Sequence, residues 1–161
     1  MKKFLMALFV SSMGIGLAQA KSSVPQFTDY PVKSVYTGKT AQLDMTDPDA
    51  RMFRTRPREA LKEKPDFAGE YVITMWGCGA SCRVYSFINK RTGKLLAGGF
   101  GGEGSQEDVI ASKANSRLLV TQEENMNEDW EVESVTTRFY VFENNKFKLL
   151  KTVKGPAPKE E

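Results

Sequence analysis

The second half of this chain alternates apolar and polar positions, and the alternation predicts strands. Tyr71-Val72-Ile73-Thr74 favours a pleated, half-buried surface and runs into Trp76. Arg83 to Ile88 alternates, Asn89 to Lys94 reads as a hairpin loop, and Leu95-Leu96-Ala97 leads a return strand. Val109-Ile110 is a short strand and Arg117 to Thr121 another. Glu123 to Asp129 is polar and acidic and reads as a loop. Trp130 to Glu143 alternates well in its second half, Asn144-Asn145 suits a two-residue turn, and Lys146 to Val153 is the last strand.

One segment has helical period instead. Ala50, Phe53, Pro57, Ala60 and Leu61 fall on one stripe, with Thr46 or Asp47 as cap and Pro48 in the first turn. The helix is expected over about 48–64. Pro57 lacks an N–H and should kink it or split it into two short pieces. The basic side chains off the stripe read as a solvated face. Together these elements predict a mainly β (α+β) fold: an antiparallel meander sheet or partly closed barrel of five to six strands, with one N-terminal helix covering a face.

The ends set the organisation. Lys2 and Lys3, the apolar run from Phe4 to Leu17 and Ala18-Gln19-Ala20 form the pattern of a cleaved signal peptide over 1–20. That run holds Ser11, Ser12, Gly14 and Gly16 and is shorter than the roughly 20 residues a span needs, so no stable membrane span is expected after cleavage. An extended arm over 21–46, one β-rich domain over 47–154 and a disordered tail over 155–161 follow. The expected location is periplasmic or secreted.

Composition narrows the chemistry. The chain has 23 basic and 20 acidic residues, and loss of Lys2 and Lys3 leaves it near neutral, so nucleic acid is not an expected partner. There is no histidine, the commonest general base and metal ligand. Cys78 and Cys82 are the only cysteines, spaced C-x-x-x-C after a strand rather than C-x-x-C at a helix start. In an oxidising compartment they read as a structural disulfide. Residues 99–104 match G-x-G-x-x-G, but Glu107 and Asp108 just after it oppose a pyrophosphate and no crossover helix follows. The run from Gly98 to Gly104 therefore reads as a flexible loop without regular structure, and no cofactor is assigned. Asn125, Asn127 and Asp129 alternate like the start of a calcium loop, but Trp130 stands where glycine is required and Thr136 where glutamate is, so no metal is assigned.

Phe67-Ala68-Gly69, Tyr71, Trp76-Gly77-Cys78-Gly79 and Cys82, with Thr92-Gly93-Lys94 and Ser116-Arg117-Leu118-Leu119, resemble a family of small secreted proteobacterial proteins. Asp49-Ala50-Arg51, Phe53 to Arg56 and the closing hairpin around Tyr140-Val141-Phe142 and Lys146 to Leu150 are similar too. Pro57 and the acidic stretch near Glu123 depart from that pattern. The resemblance implies export and a fold, and no activity.

Charge is polarised along the chain. Glu103 to Glu133 holds nine acids against Lys113 and Arg117, while Arg51 to Lys64 holds six bases against Glu59 and Glu63. Such polarity steers charged partners. Glu123, Glu124, Glu128, Asp129 and Glu131 surround Trp130, which suits an aromatic anchor within a charged rim. The alternative for Trp130 is a buried strand start. The resulting expectation is an exported non-enzymatic domain that binds a cationic protein of the cell envelope, as an inhibitor or immunity-type protein does. A small carboxylate-dependent envelope hydrolase, or a structural or ligand-binding module with Trp76, Tyr71 and Phe87 lining a pocket, are the rival expectations. The catalytic residues of such a hydrolase are not identifiable from sequence.

Overall fold

A computed structural model describes residues 24–157 apart from Ser81, Ala97 and Gly104. The expected signal peptide and the last four residues of the expected tail lie outside these residues. Within them the fold is mainly β, built as antiparallel meanders in two sheets. The first sheet orders β1 (Tyr71–Gly79), β2 (Cys82–Asn89) and β3 (Phe100–Gly101). The second orders β4 (Asp108–Ala111), β5 (Leu118–Met126), β6 (Val132–Glu143) and β7 (Lys146–Pro156). The sheets do not close into a barrel.

The period-2 rule explains how the sheets are used. In the first sheet Val72 pairs with Ile88 and Trp76 with Val84, so these side chains share one face. That face is covered by the helical segment: Val72 and Ile88 pack with Leu43, Ala50, Ala60 and Leu61. Trp76 stacks on Phe53 at 4.8 Å between ring centroids. The opposite face carries Tyr71, Ile73 and Phe87 and meets Leu119, Tyr140, Phe142 and Phe147 of the second sheet. Phe67, fully buried, sits between the two sheets and packs its ring on Phe87 and Phe142 at 5.3 and 5.5 Å.

The helical segment is split, as Pro57 allowed. α1 runs Pro48–Met52 and α2 runs Thr55–Ala60. Asp47 caps α1, accepting from the Asp49 and Ala50 N–H groups at 2.8 and 3.1 Å. A continuous helix would carry a bond from residue 57 to the Phe53 carbonyl. Proline has no N–H to donate, and that carbonyl accepts from Arg56 N–H at 3.2 Å instead. α2 ends four residues before the expected boundary, where the buried Lys90 Nζ donates to the carbonyls of Leu61, at 2.7 Å, and Glu63.

Several expectations fail for physical reasons. Among the described residues seven strands form, against the expected five or six. Among the described residues no strand follows the hairpin loop at Leu95, where there is an isolated bridge to Ile88 and a bond from Leu96 N–H to Phe87 O at 2.8 Å. The glycine-rich run instead supplies β3, expected as a flexible loop. The glycines there permit contact rather than looseness: a Cβ on Gly99 would lie 1.9 Å from the Tyr85 carbonyl oxygen, and one on Gly101 1.9 Å from that of Arg83. β3 thus presses its backbone against β2. The last strand reaches Pro156, into the segment expected as a tail. The arm is tied down across both sheets, with Pro31 bridged to Ser116, Tyr36 N–H donating to Gly69 O at 2.7 Å and Ala41 N–H to Lys90 O at 2.9 Å.

Candidate functional site

Two hairpin tips meet at one end of the molecule. The first joins β1 to β2. Its register shifts between Gly77 and Gly79, and Gly79 takes a left-handed φ of 139°. Cys78 and Cys82 are joined across this tip with Cα atoms 5.1 Å apart.

The second tip joins β5 to β6, and here the expected loop is corrected. Glu123 and Glu124 lie inside β5, paired with Thr136 and Val135, and the turn is confined to residues 127–131. Charge hid the strand: the stretch Gln122-Glu123-Glu124-Asn125 has little apolar content, but its backbone is held by β6. Asn127 organises the turn, its side-chain oxygen accepting from the N–H groups of Asp129 and Glu131 at 3.0 and 2.9 Å. Asn127 N–H donates to Glu131 O at 2.9 Å and closes the loop.

The turn forces Trp130 to a φ of 64° and leaves it 82% exposed. Trp130 therefore does not begin β6, which starts at Val132, and it is not in the core. A bulky side chain in the left-handed region is an outlier that costs on the order of 1–3 kcal/mol. An exposed indole gains no burial to offset that cost.

Between the tips lies an open cleft of about 560 Å³, lined by Cys82, Glu103, Glu123, Glu124, Met126 and Trp130 among others. A smaller cavity of about 190 Å³ adjoins it, sharing Ser105, Gln106, Glu124 and Met126 and ending at Arg83 and Ile110. The two form one groove along the outer edge of β5. Ile110, Met126 and Trp130 are all exposed along it, at 50%, 41% and 82%.

The charges around this groove fall into two sets. One set is held internally. Arg138 of β6 binds Glu123 at 2.8 Å and Glu107 at 3.7 Å. Glu107 also accepts from Thr121 and, at 3.0 Å, from the Tyr140 hydroxyl. Burial, reinforced by Glu107, pushes the Tyr140 phenol up to about 12, so it stays a donor. Arg83 binds Asp108 at 2.7 Å, and Tyr85 donates to the same carboxylate at 3.1 Å. The second set is not neutralised: among the described residues Glu103, Glu124, Glu128 and Asp129 have no salt-bridge partner. The two bases within the acidic segment do not help, since Lys113 sits over Phe27 and Arg117 pairs with Glu143.

The structure thus brings Glu123, Glu124 and Trp130 onto the cleft beside Cys82, and places Glu128, Asp129 and Glu131 on the turn above it. Glu131 is engaged within the turn, accepting from the Asn127 amide at 3.2 Å. Glu103, Met126 and Ile110 join the site without having been singled out in the sequence. Glu103 was hidden by its glycine neighbours, and Met126 by the acidic run before it. Glu107 and Glu123 are the carboxylates that converge on one cation, and both are held by Arg138. The structure does not assemble a pocket from Trp76, Tyr71 and Phe87. Trp76 is an odd number of residues from Tyr71 along β1, so the two face opposite sides, and each is packed in its own core.

Among the described residues no helix is long and apolar enough to cross a membrane. No protein-family model matches the chain, and no match is found among curated proteins or solved structures.

Proposed function

We propose that this protein is an exported, non-enzymatic β-domain that binds a cationic protein partner in the cell envelope, acting as an inhibitor or immunity-type protein. The observation that carries this is Trp130, held at positive φ on an exposed tip over a cleft walled by Glu103, Glu123 and Glu124. Interface hot spots are enriched in tryptophan, and rim charges steer encounter. The turn spends backbone strain on presenting the indole to solvent, which serves an interaction and not the fold. Export is supported by the pattern of residues 1–20 and by a cysteine pair joined as expected of an oxidising compartment.

The test compares capture from an envelope extract by immobilised processed protein and by its Trp130→Ser variant. The processed protein should retain a basic protein at low salt, and Trp130→Ser should weaken that retention by about tenfold or more, the loss of one hot-spot side chain. Melting of the variant should match the parent, because the indole is exposed. Equal retention of the basic protein by both would contradict the proposal.

A further inference from the structure

Among the described residues, one stretch of β5 along the cleft has no strand on its outer side. β4 pairs with β5 only through Ala111–Val120, Val109–Thr121 and Asp108–Gln122. From Glu123 to Met126, β5 is paired to β6 alone among the described residues. The phase of the ladder says which groups this leaves open. Phe142 N–H donates to Arg117 O at 2.9 Å, across the pair that precedes Leu118–Val141. In an antiparallel ladder the groups of successive residues alternate between the two sides. Leu119, Thr121, Glu123 and Asn125 therefore turn their N–H and C=O groups to β6. Glu124 turns its groups outward, into the groove, and so does Met126 beyond the register shift after Asn125, since the next residue, Asn127, donates its N–H to Glu131 O on the β6 side.

An open strand edge is a template for another strand. Here Ser105 and Gln106 line the groove across from it. The side chains say which strand would be accepted. A second copy of this chain paired at this edge in register would set Glu124 against a carboxylate, and like charges directly opposite are unfavourable. A segment with a Lys or Arg opposite Glu124 and an apolar residue two positions along, on the same face and opposite Met126, meets the reverse situation. It gains a charge pair at Glu124 and apolar contact with Met126, Ile110 and Trp130, exposed along the same groove.

We propose that the partner docks by adding an extended basic strand to the open edge of β5 at Glu124–Met126. This rests on the cationic-partner reading above and specifies its geometry: backbone hydrogen bonds supply the grip, and the carboxylates and Trp130 supply selection.

A synthetic nonapeptide, Lys-Thr-Val-Thr-Lys-Thr-Val-Thr-Lys, which sets Lys and Val in turn on one face, serves as the probe, beside the same peptide with every second backbone amide N-methylated. Backbone amide exchange of the processed protein is followed residue by residue at low salt. The unmodified peptide should slow exchange at Glu124 and Met126 by about tenfold or more, while Glu123 and Asn125, already bonded to β6, change less. The methylated peptide, which keeps the charge and loses the donors, should bind at least about tenfold more weakly. Equal binding of both peptides, or binding without slowed exchange at Glu124 and Met126, would overturn strand addition and leave cationic docking standing. Binding of neither peptide would overturn strand addition too. If Trp130→Ser still releases the captured basic protein in that case, the docking proposal survives alone, and if it does not, both fall.

Discussion

Phe67→Ala should lower folding stability by about 3–5 kcal/mol, the range for emptying a buried aromatic site. Phe67 is fully buried and stands where the two sheets meet, so its ring is shared between them. It lies 5.3 Å from Phe87 on one side, and 5.5 and 5.8 Å from Phe142 and Phe147 on the other. The neighbours cannot close the gap easily, because Phe87, Phe142 and Phe147 also pack on one another at 4.9 and 5.2 Å. The backbone there is equally committed: Ala68 and Gly69 take φ of 45° and 84°, and their N–H groups donate to Ser116 O and Ala114 O at 3.0 and 2.7 Å. Urea unfolding should show the midpoint falling at unchanged slope. A loss below about 1 kcal/mol would mean that the sheets are held together elsewhere.

Glu103→Lys with Glu124→Lys and Glu128→Lys should slow association with a cationic partner by about 10- to 100-fold at low salt, the scale of electrostatic steering. The choice of residues follows from the internal pairing. Glu123 is left in place because its carboxylate holds Arg138 at 2.8 Å, and a lysine there would face that guanidinium. The three chosen carboxylates have no such partner among the described residues. Their reversal should leave melting unchanged or slightly improved, since it relieves repulsion on an exposed rim. Dissociation should change less than association. Near 1 M salt, where the screening length is about 3 Å, parent and variant should converge. Stopped-flow mixing at two salt concentrations measures both effects, and equal association rates at low salt would remove charge from the account.

Much of this fold is legible in the chain. The strands around Tyr71, Arg83, Leu118, Tyr140 and Phe147 announce themselves through alternation, and the Asp47-Pro48 start of the helical segment through its capping chemistry. Pro57 marks the split because its missing N–H is a local fact. What sequence could not show depends on distant partners. Glu123 and Glu124 read as loop because nothing near them in the chain announces β6, whose pairing makes them strand. Gly99 and Gly101 read as flexible because the carbonyls of Tyr85 and Arg83, which forbid any side chain there, come from another strand. The same limit holds for the site. The acidic residues and Trp130 stand out in the sequence, but the cleft needs Cys82, Glu103 and the short β4, which starts only at Asp108, opposite Gln122, and leaves the β5 edge beyond it without a strand among the described residues.

The central claim is that Trp130 and the cleft beneath it form the contact surface, and the chain's two tryptophans allow a direct measurement. Trp76 is 8% exposed and stacked on Phe53, while Trp130 is 82% exposed, so acrylamide should quench one of them readily and the other poorly. With the captured basic partner bound, and its own signal subtracted, the readily quenched fraction should fall to the level seen in a Trp130→Phe variant, and emission should shift to the blue. A complex in which Trp130 stays as open to acrylamide as in the free protein would contradict the account.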